Sequence, residues 1–160
     1  AYFDITQQNR ISDGVTPGGV EQVGAVVDGW ELQVNKRWQQ FETQVAYTNL
    51  NATNDGTGIR LPYVAEEQAS WWNRLYVGNN WRIGAGVRYV GDNVGSGGAP
   101  VVPSSTLYDA MVGYTLGEWG FSVDLKNATD EEYVSWCRYD GGDCGYGDRR
   151  SVTANVRYQF

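Results

Sequence analysis

The chain has 160 residues and a formal net charge of −7, from 12 Lys and Arg against 19 Asp and Glu, with no His. An acidic chain lacks the basic face that a nucleic-acid partner requires. The missing His removes any His-based triad, HExxH motif or His-metal site, and no apolar run of 18 or more residues is present to form a membrane-spanning helix.

Turn signals divide the chain into segments that read as strands. The first is Ala1 to Gln7, with Ala1, Phe3 and Ile5 as its apolar face. A Gly/Pro loop follows, with Ser12-Asp13-Gly14 and Pro17-Gly18-Gly19. The second strand covers roughly Gln22 to Asn35 and alternates Trp30, Leu32 and Val34 with Glu31, Gln33 and Asn35. After a polar turn at Lys36 to Gln40, the third alternates Phe41, Thr43, Val45 and Tyr47 with Glu42, Gln44 and Ala46. A longer loop, Asn51 to Leu61, leads to the fourth, Glu67 to Val77, where adjacent Trp71 and Trp72 compete for one face; Trp71, Leu75 and Val77 are assigned outward. The fifth reads Trp81, Ile83, Ala85, Val87 and Tyr89 against Arg82, Gly84, Gly86 and Arg88. Gly91 to Pro103 is a loop. The sixth gives Tyr108, Ala110, Val112 and Tyr114, and the seventh Trp119, Phe121, Val123 and Leu125. The eighth alternates Val152, Ala154, Val156, Tyr158 and Phe160 with Ser151, Thr153, Asn155, Arg157 and Gln159.

Strict alternation closed by aromatics is the pattern of a transmembrane β-barrel strand, because only every second residue meets lipid and aromatic rings settle at the headgroup level. The expected fold is therefore all-β, an antiparallel transmembrane β-barrel of the bacterial outer membrane with about eight strands here, residues 1–160 forming one domain. The membrane-interface aromatics are Trp81, Tyr89, Tyr108, Tyr114, Trp119, Tyr158 and Phe160, with Trp30. Placing Phe160 at the periplasmic end makes the short turns near 36–40, 78–80 and 116–118 periplasmic. The loops near 12–21, 51–66, 91–103 and 137–148 are then extracellular. Ala1 opens directly into strand-like sequence, so a longer mature protein is expected.

Cys137 and Cys144 bracket a short polar loop. With no His nearby they make a poor zinc site and read as a disulfide, which implies an oxidising compartment and stabilises by about 2–3 kcal/mol on the chain-entropy account. Asp140, Asp143 and Asp148 are hard oxygen ligands, but their spacing matches no EF-hand. A solvated acidic loop accounts for them and for Asp130-Glu131-Glu132, so no metal ligand is assigned. No catalytic residue set is present, and the chain reads as no enzyme.

Five segments occur in order: Phe3-Asp4-Ile5-Thr6-Gln7-Gln8-Asn9, Gly29-Trp30-Glu31-Leu32, Gly84-Ala85-Gly86-Val87-Arg88-Tyr89-Val90-Gly91, Tyr108-Asp109-Ala110-Met111-Val112-Gly113-Tyr114, and Lys126-Asn127-Ala128-Thr129-Asp130-Glu131-Glu132-Tyr133. With the terminal Phe160, the chain resembles the C-terminal part of TonB-dependent siderophore receptors, close to the ferric hydroxamate and ferrioxamine type. The resemblance implies the last third of a plugged 22-stranded barrel. It also implies a ferric siderophore as transported ligand, with no other cofactor. The implied partners are outer-membrane lipid, the N-terminal plug and remaining strands, and the TonB complex reached through the plug. A cysteine pair in the last extracellular loop occurs in the hydroxamate branch, where an aromatic after the first cysteine lines the ligand pocket. Here that place holds Arg138, followed by Tyr139. Arg138, Tyr139 and Tyr146 are thus the expected ligand-binding residues, and Arg138 suits an anionic complex. Inward Gly84, Gly86, Gly113 and Ala46 suit a wide lumen lying against a plug. The competing readings are a stand-alone small outer-membrane barrel with a structural or adhesive role, and a soluble β-module that binds carbohydrate through its tryptophans.

Overall fold

A computed structural model of the chain describes residues 1–13, 19–139 and 142–160. Eight strands form one antiparallel sheet in the order β1-β2-β3-β4-β5-β8-β9-β12. Their ranges are β1 Tyr2–Asp13, β2 Val20–Arg37, β3 Phe41–Asn54, β4 Glu67–Val77, β5 Trp81–Val90, β8 Ser105–Leu116, β9 Trp119–Lys126 and β12 Ser151–Tyr158. Two small hairpins lie in the loops: β6 Asn93–Val94 with β7 Val101–Val102, and β10 Val134–Arg138 with β11 Asp143–Tyr146. The sheet is open, since among the described residues no ladder joins β1 to β12.

Register fixes the faces, because directly opposed residues share a side of the sheet. One row runs Phe41, Leu75, Ile83, Val112, Val123, Ala154 from β3 to β12. A second runs Val77, Trp81, Tyr114, Phe121, Val156. Trp81, Ile83, Trp71 and Val156 are all exposed on this face. Aromatics bound the band at both levels. Trp30 packs at a tilt against Tyr47 (ring centroids 4.9 Å) at the loop end, and Trp81 against Tyr114 (4.6 Å) and Trp119 against Tyr158 (4.8 Å) at the turn end. From Trp81 to Tyr89 the strand advances about 26 Å, or about 20 Å vertically at a 40° tilt, close to the apolar height of an outer-membrane barrel. Two polar residues within the band, Thr43 and Asn73, satisfy each other: the Thr43 hydroxyl donates to Asn73 Oδ1 at 2.9 Å and accepts from Trp71 Nε1 at 2.9 Å.

The opposite face, here called the inner face, is polar, and its small residues have a local reason. Trp72 lies over Gly84 and Gly86; a Cβ at Gly84 would stand 2.6 Å from the Trp72 ring, and one at Gly86 would overlap it. Arg82 lies against Gly113, where a Cβ would stand 3.3 Å from its Nε and Nη2. These glycines therefore seat large side chains of adjacent strands, whatever else occupies the lumen. The first strand departs from expectation. Tyr2 opposes Trp30, while Phe3 opposes Gly29 and Ile5 opposes Val27, so Phe3 and Ile5 point inward and Tyr2 takes the outward place.

β2 has 18 residues, more than the 9–11 that cross a bilayer, and β3 has 14. Their loop-end extensions are covered on the inner face by the returning segment 55–66. Leu61 N–H donates to the Ala52 carbonyl (2.8 Å) and Leu50 N–H to that of Glu66 (2.8 Å). Ala25, Ala52 and Leu61 form a buried cluster there, with Val27, Leu50 and Val64 against it. Of the loop expected at 51–66, the first four residues thus belong to β3 and the rest return as a structured cap.

Two substitutions test the face assignment. Ala85→Arg, mid-band on the outer face, should cost about 2–4 kcal/mol in urea unfolding from lipid vesicles, whereas Gln44→Arg on the inner face should cost little. Gly86→Leu should destabilise by about 1–3 kcal/mol by displacing Trp72, and adding Trp72→Ala should relieve part of that cost.

Candidate functional site

Above the loop end, three loops join. Tyr63, in the β3–β4 loop, donates its N–H to the Val94 carbonyl (2.9 Å), and its hydroxyl shares a short hydrogen bond with the Ser96 hydroxyl. Ser96 is buried and continues the chain of contacts: its N–H donates to the Cys137 carbonyl (3.2 Å), and its carbonyl accepts from Tyr139 N–H (2.8 Å). Arg60 ties the same loops at their base, with Nε 2.7 Å from Glu66 and Nη1 3.3 Å from Asp92. Tyr63 and Tyr139 both adopt left-handed backbone angles, φ 66° and 60°, which are uncommon outside Gly, Asn and Asp and persist only where surrounding contacts hold them. The β5–β8 loop thus bridges its two neighbours through backbone bonds.

The third member is the β10–β11 hairpin. Cys137 and Cys144 are disulfide-bonded across it, as their spacing predicts. Arg138 opposes Asp143 at the tip, and its Nε pairs with that carboxylate. This partner holds the guanidinium pKa above its ordinary value. The Arg138 guanidinium also lies 5.8 Å from the Trp136 ring centre and 5.7 Å from that of Tyr139. The positive charge expected to meet an anionic ligand is therefore balanced internally. Of the expected ligand-binding residues, Arg138 and Tyr139 come together at the three-loop junction. Tyr146 opposes Val134 at the other end of the hairpin and is exposed. Tyr63 and Ser96 join the group without any motif marking them. Asp140 lies outside the described residues, and among those described no group of three acidic, His or Cys side chains is placed to hold a metal.

The base of the last loop adjoins the acidic run Asp130-Glu131-Glu132, in which Glu131 and Glu132 are exposed as expected and Asp130 is tied to arginines. Asn127 is buried with φ 50°, and its side chain donates to the carbonyls of Glu131 (2.8 Å) and Asp148 (3.1 Å) while accepting from Glu131 N–H (2.8 Å). Asp130 accepts two hydrogen bonds from Arg149 (3.1 and 2.9 Å) and one from Arg150 N–H (3.0 Å). Arg149 also pairs with Glu132. These bonds favour the ionised carboxylate and hold the Asp130 pKa well below the usual range, with Arg149 pushed up in return. Below this ring the Arg88 guanidinium donates to Asp109 (Nε 2.6 Å, Nη2 3.0 Å), and Asp109 accepts Asn127 N–H (2.9 Å).

A family model described as TonB dependent receptor-like, beta-barrel matches residues 1–128. The chain belongs to the TonB-dependent receptor β-barrel family. Proteins of this family are β-barrels of the Gram-negative outer membrane, which accounts for the apolar band and its aromatic borders. Among curated TonB-dependent receptors, the ferrioxamine receptor of Yersinia enterocolitica is 30% identical across 100% of this chain and 24% of its own length. The catecholate siderophore receptor Fiu of Escherichia coli K12 is 29% identical across 99% of the chain and 23% of its own. The chain thus spans about a quarter of the length of the curated relatives it matches. Among solved structures, Pseudomonas aeruginosa FpvA bound to a heterologous pyoverdine superposes with a TM-score of 0.78 at 20% identity. It covers 99% of this chain and 24% of that one. The closed form of Fiu gives 0.77 at 23%, covering 99% and 24%. At these identities the superpositions show the receptor fold.

Because the Asp130 pKa is depressed in the folded loop, the stability that its ionised form contributes is complete above the unfolded carboxylate pKa of about 4 and is lost as pH falls below it. Amide exchange across residues 127–150 should accelerate on acidification below pH 4, relative to the strands. Asp130→Asn should show that acceleration already at neutral pH.

Proposed function

We propose that the complete protein is an outer-membrane receptor for TonB-dependent uptake of ferric siderophores, with residues 1–160 as the C-terminal part of a 22-stranded barrel. In this reading the N-terminal plug lies against the inner face and contacts the TonB complex. The single observation that supports it best is the family match over most of a chain whose outward band suits lipid and whose loops converge over the other end. The curated relatives named above bind siderophores as ferrioxamine or catecholate receptors, and that property is carried here as the proposal.

The junction of Tyr63, Ser96, Arg138 and Tyr139 is proposed as a ligand wall. Its chemistry is aromatic faces, hydroxyls and a guanidinium already neutralised by Asp143. Such a wall gains little from an anion and more from stacking and hydrogen bonding to a complex of low net charge. Ferrioxamine is therefore favoured over an anionic ferric catecholate. The stand-alone barrel is disfavoured by the open sheet.

In the complete receptor, Arg138→Ala combined with Tyr139→Ala should weaken ferrioxamine B binding by about tenfold or more, measured by intrinsic fluorescence quenching. Unchanged affinity removes the last loop from the pocket. Tighter binding of a ferric catecholate than of ferrioxamine B by the parent receptor reverses the ligand preference.

A further inference from the structure

The outward band is not flat at its turn end. Trp81 opposes Tyr114, which opposes Phe121, and one row deeper into the band Val112 opposes Val123. Trp81 leans on Tyr114, while the Phe121 ring lies nearly parallel to that of Trp119 with centroids 6.3 Å apart. A recess of about 180 Å³ opens among these side chains, lined by Trp81, Val112, Tyr114, Phe121 and Val123. It is at least as large as the roughly 150 Å³ apolar cavity that admits a benzene-sized guest. It runs from the aromatic border into the next row of the band, which is the direction an acyl chain takes.

The turn just beyond this recess carries Glu118, between Leu116 at the end of β8 and Trp119 at the start of β9. Its carboxylate accepts from the Tyr158 hydroxyl at 2.6 Å, and Tyr158 opposes Trp119 in the outward row, so the acid is held on the lipid side. Among the described residues no Lys or Arg pairs with it; Arg82 and Arg157, on the neighbouring strands, point to the inner face. Described chain flanks the turn on both sides. Thr115 N–H donates to the Asn80 carbonyl (3.0 Å), Asn80 Nδ2 donates to the Thr115 carbonyl (2.6 Å), and Gln159 N–H donates to the Glu118 carbonyl (2.9 Å). The indole N–H groups of Trp81 and Trp119 meet no acceptor among the described residues, and indoles at this border donate to the phosphate and ester oxygens of lipid.

We propose that this recess seats one acyl chain of a phospholipid whose amine-bearing headgroup pairs with Glu118. Charge selects the headgroup. An unpaired carboxylate beside the recess attracts an ammonium and repels a headgroup of net negative charge, and the low dielectric of the membrane border strengthens both effects. Shape selects the tail, since the lining side chains are apolar or aromatic and the recess leads inward from the border. The site lies on the face opposite the lumen and at the other end of the strands from the ligand wall. It therefore goes beyond the receptor reading, because the outward band meets lipid whichever ligand the barrel carries.

The test uses the complete receptor in membranes containing one of two phospholipids with identical chains, headed by ethanolamine or by glycerol. Each carries a photoreactive diazirine near the carbonyl end of one chain, and peptide mass spectrometry locates the label after photolysis. At equal lipid content the ethanolamine lipid should label residues 112–123 about threefold more than the glycerol lipid, the scale of one exposed ion pair. Glu118→Gln, whose amide oxygen still accepts from Tyr158, should abolish that preference. Val112→Trp, which fills the recess, should lower the labelling of this stretch by both lipids. Equal labelling of the parent, a preference that survives Glu118→Gln, or labelling that Val112→Trp leaves unchanged overturns the proposal. Absence of label from both lipids means that protein covers the recess, and overturns it as well. No siderophore enters the measurement, so a receptor that transported none would still answer it.

Discussion

In hydrocarbon an unpaired backbone N–H or C=O costs several kcal/mol, so every spanning residue must sit in a ladder, and the ladder in turn dictates where its side chain points. Everything else in this sheet follows from that obligation. With a side-chain period of two, a slip of one residue would carry Ile83, Val112 and Val123 to the wet face and Arg82, Asp109 and Asp124 into lipid. The rows from Phe41 to Ala154 and from Val77 to Val156 are the visible result of avoiding that slip across the sheet.

The inner face solves a different problem. Away from the apolar cap at its loop end, it is filled by large side chains seated on glycines, by Arg–carboxylate pairs and by hydroxyl–amide contacts. Trp72 over Gly84 and Gly86 shows the economy of this arrangement: one indole covers two positions of the next strand, and the absent side chains are what permit it. At the loop end the same polar logic passes to the backbone, where Ser96 bonds to both neighbouring loops and the Asn127–Asp130–Arg149 ring fixes the root of the last one.

Much of this was legible in the sequence. Strands whose apolar and polar residues alternate without interruption, such as Trp81 to Tyr89, declared both their existence and their facing, because lipid and water impose opposite preferences on adjacent residues. Trp71 and Trp72 were resolvable only through Leu75 and Val77, which shared a parity with one of them. The first strand misled because Phe3 and Ile5 are apolar yet face inward; what decides their side is pairing with Gly29 and Val27, which no local pattern encodes. At the ligand wall, the cysteines drew attention to Arg138 and Tyr139, whereas Tyr63 and Ser96 lie some 75 and 42 residues upstream of them and were invisible until the loops met. The acidic run after Asn127 is exposed at Glu131 and Glu132, but its ion pairs were not legible, because Arg149 and Arg150 arrive only after the intervening hairpin.

The crosslinked hairpin bears on how such a polypeptide is made. Its two cysteines are seven positions apart and are the only pair within these 160 residues, so within this stretch oxidation has a single local product. A clasp that small can close during transit through the periplasm, before any strand enters the bilayer. Because it ties no distant segments together, it leaves the remaining chain at liberty to thread into the outer membrane in whatever order insertion demands.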